Sequence, residues 1–168
     1  MTTFYEFDEV DAFTVGTVGQ PGSRTFYVQV RADGRSVTVK CEKQQATAIS
    51  EHVQKVLSDL PPPEDRPMPG ALELNEPVEA SFTLGPIGLG YDPGADRVLI
   101  QLEEVGEYDD DGDEVETDDR GHVRLLVSRG QAAAFCDRAD AIVGAGRPPC
   151  QWCGNPIDPD GHPCPRMN

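Results

Sequence analysis

Four residues near the end of the chain have the types and spacing to hold a metal: Cys150 and Cys153 as Cys-x2-Cys, then His162 and Cys164 as His-x-Cys. Two close pairs of soft or borderline ligands suit tetrahedral zinc, with Gly154 permitting the tight turn of the first pair. A Cys3His set leaves no position for water or substrate, so the expected zinc is structural. The stretch is rich in Pro and Gly and cannot build a core, so metal binding would supply its folding free energy. The alternative is a disulfide plus a spare thiol. Five cysteines are an odd number, three of them crowded between Cys150 and the end, which fits metal and free thiols in a reducing compartment better than a disulfide framework. Trp152 stands between the first two ligands, where it either covers the site or meets a partner.

The remaining polar residues offer weaker chemistry. Gln45 and Gln131 recur at matching places, and Ser128-Arg-Gly-Gln131 fits a capping box, with Glu42-Lys-Gln-Gln45 a looser version. Gln29 and Gln101 are flanked by apolar residues; if buried, each needs hydrogen-bond partners. Gly16, Gly19 and Gly22 imitate a phosphate loop, but a strand follows them where a nucleotide site needs a helix N-terminus. Glu107, Asp109, Asp111, Gly112 and Asp118 can be laid on a calcium-loop template, but its two end positions carry the wrong acids and strands flank it. His52 and His122 have no Ser or Cys partner at a readable spacing, and Cys41 and Cys136 read as small buried hydrophobes.

The elements that must position these residues come twice. SVTVKCEKQQATAISEHVQKVL from Ser36 and HVRLLVSRGQAAAFCDRADAIV from His122 both run as an alternating strand, a polar break ending in Gln, and an Ala-rich helix, at a constant offset of 131 − 45 = 86. FYVQV from Phe26 and VLIQL from Val98 match at 101 − 29 = 72. An irregular first strand is expected within Tyr5–Val18, a second over Thr25–Arg31, a hairpin at Asp33-Gly34, a third strand over Ser36–Cys41, and helices over Lys43–Leu57 and Arg129–Val143. The expected fold is therefore α+β: two duplicated strand-strand-strand-helix units forming one pseudo-twofold domain with a small zinc-clamped C-terminal tail. The units span residues 1–60 and 78–146, joined by a Pro-rich connector over 61–77 that carries no evident chemistry. An acidic insertion over 107–120 reads as a solvated hairpin extension, and residues 147–168 form the zinc-binding tail.

With 168 residues and a net charge of −16, the chain is long enough for a real core and would be repelled by nucleic acid and anionic membrane surfaces. The amino terminus lacks the basic and apolar regions of a secretory signal, and no stretch approaches the ~18 apolar residues of a membrane span. A cytoplasmic location is expected.

GTVGQPGSRTFYVQVR, the CEKQQ helix start and AGRPPCQWCGNPIDPDGHPCPRMN together resemble an actinobacterial family, domain of unknown function 3090. The resemblance covers nearly the whole chain, and Cys150, Cys153, His162 and Cys164 match that family's tail one by one. It implies a bacterial cytoplasmic setting and no particular activity. The expected function is a non-catalytic protein-binding or scaffold protein with a structural zinc and another protein as partner. The alternative is an enzyme or small-molecule-binding protein whose site, in the cleft between the repeats, gathers Arg24, Gln29, Lys43 and Gln101.

Overall fold

Alternation of apolar residues sets the strands, and the computed structural model describes residues 4–20, 22–115 and 120–144. Strands β1 (Phe4–Phe7), β2 (Ala12–Val18), β3 (Thr25–Ala32) and β4 (Arg35–Cys41) precede helix α1 (Lys43–Ser58). Strands β5 (Phe82–Asp92), β6 (Arg97–Glu104), β7 (Glu107–Tyr108), β8 (Glu114–Val115) and β9 (His122–Val127) precede helix α2 (Arg129–Gly144). The structure is α+β, with a mixed seven-stranded sheet in the order β1-β9-β6-β5-β4-β3-β2 and a separate β7-β8 hairpin. Parallel pairing occurs between β1 and β9 and between β4 and β5. The turn joining β3 to β4 has Asp33 at φ 54° and Gly34 at φ 73°, the left-handed pair that a two-residue hairpin requires.

The first strand expected over Tyr5–Val18 is two strands, and they lie at opposite edges of the sheet. Only residues 8–11 separate them, a reach of about 18 Å at most, whereas a flat sheet of this size would hold its edges roughly 28 Å apart. The sheet must therefore curl around its core. Strand β5 does in one piece what β1 and β2 do in two: Phe82 and Thr83 pair parallel with β4, and from Leu84 on, with a register shift between Leu84 and Ile87, the strand pairs antiparallel with β6.

Both helices pack on the concave side and against each other. Val28, Val30, Val37 and Val39 on one half of the sheet, and Val98, Ile100, Leu102, Val123 and Leu125 on the other, meet Ala46, Ile49, Val53, Ala132, Phe135 and Ala139 in one continuous core. Phe13 and Phe135 stack at 4.2 Å between ring centres, 8° from parallel, a pairing worth about 0.5–1.5 kcal/mol beyond its buried area.

The Pro-rich connector is a packed element rather than a spacer. It forms a short 3-10 turn over Pro69–Leu72, and Leu74 covers Gly16 so closely that a Cβ on that glycine would meet Leu74 Cγ at 2.5 Å. A Cβ on Gly130, at the start of α2, would lie 1.8 Å from the Asp65 carbonyl oxygen. The acidic insertion is a hairpin in its described part: the Asp109 carboxylate accepts the Asp111 and Asp113 amides at 3.0 and 2.9 Å, and Gly112 turns the chain at φ 86°.

Candidate functional site

The first turn of each helix carries a glutamine that bonds in two directions. In α1, Gln45 Oε1 accepts the Glu42 amide at 2.8 Å while Nε2 donates to the Leu84 carbonyl at 2.9 Å. In α2, Gln131 Oε1 accepts the Ser128 amide at 2.9 Å, its own amide donates to Ser128 Oγ at 3.1 Å, and Nε2 donates to the Val10 carbonyl at 2.6 Å. The capping role read from the spacing is present. The second bond reaches the place where the strand path leaves one neighbour for another: the β5 irregularity in one case, the gap between β1 and β2 in the other. Both side chains are therefore occupied as structural pins.

Gln29 is buried and fully bonded. Its Nε2 donates to Thr38 Oγ1 at 3.0 Å and to the Asn75 carbonyl at 3.2 Å, while Oε1 accepts the Asn75 amide at 2.8 Å. Thr14, Gln29 and Thr38 stand in register across β2, β3 and β4, and Thr14 donates to the Leu72 carbonyl. This polar row on the convex face holds the connector down. Arg31 adds bonds to the Asn75 side chain and the Ala71 carbonyl.

The other residues expected in an inter-repeat site lie elsewhere. Arg24 donates to the Ile142 carbonyl at 3.1 Å near the end of α2, with its guanidinium 5.1 Å from the centre of the Phe26 ring. Lys43 is the exposed first residue of α1. Gln101 is half-buried on the convex face, between Gly88 and Arg124 in register. Among the described residues no hydrogen bond joins any two of Arg24, Gln29, Lys43 and Gln101. Cys150, Cys153, His162 and Cys164, with Trp152, lie outside the described residues.

One cluster of titratable groups escaped the sequence reading. Asp96, at φ 52° in the turn between β5 and β6, accepts Tyr91 Oη at 2.6 Å and Arg129 Nε at 3.0 Å on one oxygen, and Arg129 Nη2 at 3.2 Å on the other. Tyr91 and Arg129 hold its carboxyl below the usual range, and the same bond to Asp96 raises the Tyr91 phenol. Arg129 also donates to the Pro61 and Pro62 carbonyls. The cluster ties a hairpin tip, the start of α2 and the connector together. It supplies no free base, because the carboxylate's bonds stabilise its ionised form. The turn residues of YDPGADR were the only readable signal for it.

The two cysteines among the described residues are held inert. Burial pushes the Cys41 thiol up to about 12 and the Cys136 thiol to about 11, far from the thiolate that reaction requires. His52 Nδ1 bonds the Ala48 carbonyl at 2.7 Å on the exposed side of α1. The His122 ring lies 5.3 Å from that of Phe4.

A family model described as "Protein of unknown function (DUF3090)" matches residues 5–164. No curated protein and no solved structure matches the chain.

Proposed function

The chain belongs to the DUF3090 family, and from what its own residues are committed to we propose that it is a non-catalytic scaffold that presents a zinc-clamped tail to another protein. The observation that carries this reading is the employment of its polar side chains. Gln29, Gln45 and Gln131 hold the connector and the strand switch points, Asp96 is tied to Tyr91 and Arg129, and both core thiols are buried and protonated. Catalysis by side chains needs a nucleophile or base poised for proton transfer, and these groups are spent on architecture instead.

Duplication is part of the proposal. Residues 10–58 and 79–144 would be two copies of one strand-strand-strand-helix unit, related by a pseudo-twofold axis passing between α1 and α2. Three features support it: the two helices, which begin two residues after their third strands end, the paired glutamine pins, and the matching switch of partner in β5 and in β1/β2. The tail would carry one zinc on Cys150, Cys153, His162 and Cys164, closed to substrate, with Trp152 beside it as a contact for the partner. The test is affinity capture from a lysate of the native host, using the full chain, the chain without its last nineteen residues, and Trp152→Ala. A partner retained by the full chain and lost by both variants is expected. Retention of every captured protein by both variants would overturn the tail-mediated reading.

A further inference from the structure

Exposed apolar side chains gather on the hairpin of β7 and β8. Six large hydrophobic residues are exposed among the described ones. Phe4, Val18 and Met68 lie apart, on β1, on β2 and in the connector, and single residues of that kind need no explanation. Val105, Tyr108 and Val115 all fall within residues 105–115, at 45, 64 and 39% exposure. Residues 107–115 are exposed throughout, and β7 and β8 form a two-stranded sheet of their own. Val115 stands opposite Glu107 and Tyr108 opposite Glu114, so the two apolar side chains project from opposite faces of the ribbon.

A two-stranded ribbon is marginal by itself, and this one carries its own braces. Besides the bonds to the Asp109 carboxylate, the Asp109 amide donates to the Asp113 carbonyl at 2.9 Å and Arg120 Nη2 donates to Glu114 Oε1 at 2.6 Å. A merely solvated extension needs charge and no large apolar side chains. A braced ribbon with one on each face is shaped to enter a groove, where both faces are covered at once. The charge of that groove follows from the residues around them. Glu107, Asp109, Asp110, Asp111, Asp113 and Glu114 place six carboxylates in the ribbon with no Lys or Arg among them. They repel nucleic acid, anionic membrane surfaces and a second copy of a chain with net charge −16. A surface lined by Lys and Arg is attracted instead, and its association is accelerated.

We infer that the β7–β8 hairpin is a docking arm, which inserts Tyr108 and Val115 into an apolar groove rimmed by Lys and Arg on a partner protein. The apolar pair supplies the buried contact, and the surrounding carboxylates select and orient the basic rim. This goes beyond the tail-mediated reading and depends on neither the zinc nor Trp152.

The test uses the full chain with Tyr108 replaced by the photoreactive p-benzoylphenylalanine, irradiated in cells of the native host, with the site of each adduct mapped by mass spectrometry. An adduct to one other protein is expected, at an apolar residue with Lys or Arg beside it. Asp110→Lys combined with Asp111→Lys should abolish it; neither carboxylate accepts a hydrogen bond among the described residues, so the ribbon keeps its braces. The adduct should persist in Trp152→Ala and Cys153→Ser, and the same photoreactive residue at the exposed Val18 should not form it. No adduct, an adduct only to a second copy of this chain, one at a surface without Lys or Arg, or one unchanged by the charge reversal would overturn the inference. Loss of the adduct in Trp152→Ala would also overturn it while leaving the tail-mediated reading in place. A calcium titration followed by amide NMR provides a second readout: a tight, saturable shift confined to residues 107–114 would assign the carboxylates to a cation and contradict the docking arm.

Discussion

Cys136 donates its thiol hydrogen to the Ser50 carbonyl at 3.5 Å, and the two residues occupy the same place in the two helices, each seven residues after its helix begins at Lys43 or Arg129. Gln54 and Asp140, joined at 3.0 Å, are likewise separated by 140 − 54 = 86. Residues that correspond in sequence thus meet across the helix pair, as they do beside a twofold axis. Asp140 also accepts Ser50 Oγ at 2.9 Å, so the polar bonds between the helices centre on this one line.

Gly130→Ala inverts the usual rule for helices. Replacing an interior glycine by alanine ordinarily stabilises a helix by up to about 1 kcal/mol, but here the added Cβ would lie 1.8 Å from the Asp65 carbonyl oxygen. Destabilisation of about 1–3 kcal/mol is expected from the forced displacement of the connector, read as a lower denaturant midpoint. An unchanged or raised midpoint would show that the connector moves aside freely.

Both helices, the Asp33-Gly34 hairpin and the glutamine caps were legible because each is written locally, in apolar spacing, turn chemistry and a residue three positions into a helix. The break between β1 and β2 was not, since Phe7 and Ala12 differ in their partners, β9 and β3, rather than in their own character. The docking of the connector was equally hidden. Its bonds join Thr14 to Leu72 and Gln29 to Asn75, and no local pattern announces contacts between residues so far apart. Gly16 and Gly130 were visible as glycines but not as sites of close approach, which only the folded neighbour explains. For the candidate site, the sequence marked Gln29 as needing partners without saying that the connector would supply them, and the Tyr91–Asp96–Arg129 cluster depends on a hairpin tip meeting a distant helix.

Gln29→Leu keeps the volume and removes three hydrogen bonds, leaving the amide and carbonyl of Asn75 and the Thr38 hydroxyl without it. A loss of about 1–3 kcal/mol is expected, together with faster hydrogen exchange at the Asn75 amide. A stability equal to wild type would mean that the polar row does not hold the connector.

Asp96 gives a pH signature of defined sign. Its carboxyl is lowered in the folded state by Tyr91 and Arg129, so its stabilisation is present above the ordinary carboxylate value of about 3.9 and is lost as pH falls through the lower folded value. Asp96→Asn should therefore melt below wild type at neutral pH, with the gap narrowing below about pH 4. Because the Asp96 side chain is 49% exposed, water screens the pair and the gap should be modest. A gap that widens in acid would reverse the assignment.

The claim that a closed zinc site, and not a reactive centre, is the chain's chemical feature is tested most directly by metal analysis combined with counting reactive thiols. Protein purified without chelator should contain one zinc per chain and no fast-reacting cysteine. Chelation should release the metal and expose Cys150, Cys153 and Cys164, while Cys41 and Cys136 stay unreactive until the core unfolds, as their raised pKa values near 12 and 11 require. Absence of metal from such protein, or a disulfide joining Cys150 to Cys153, would contradict the account.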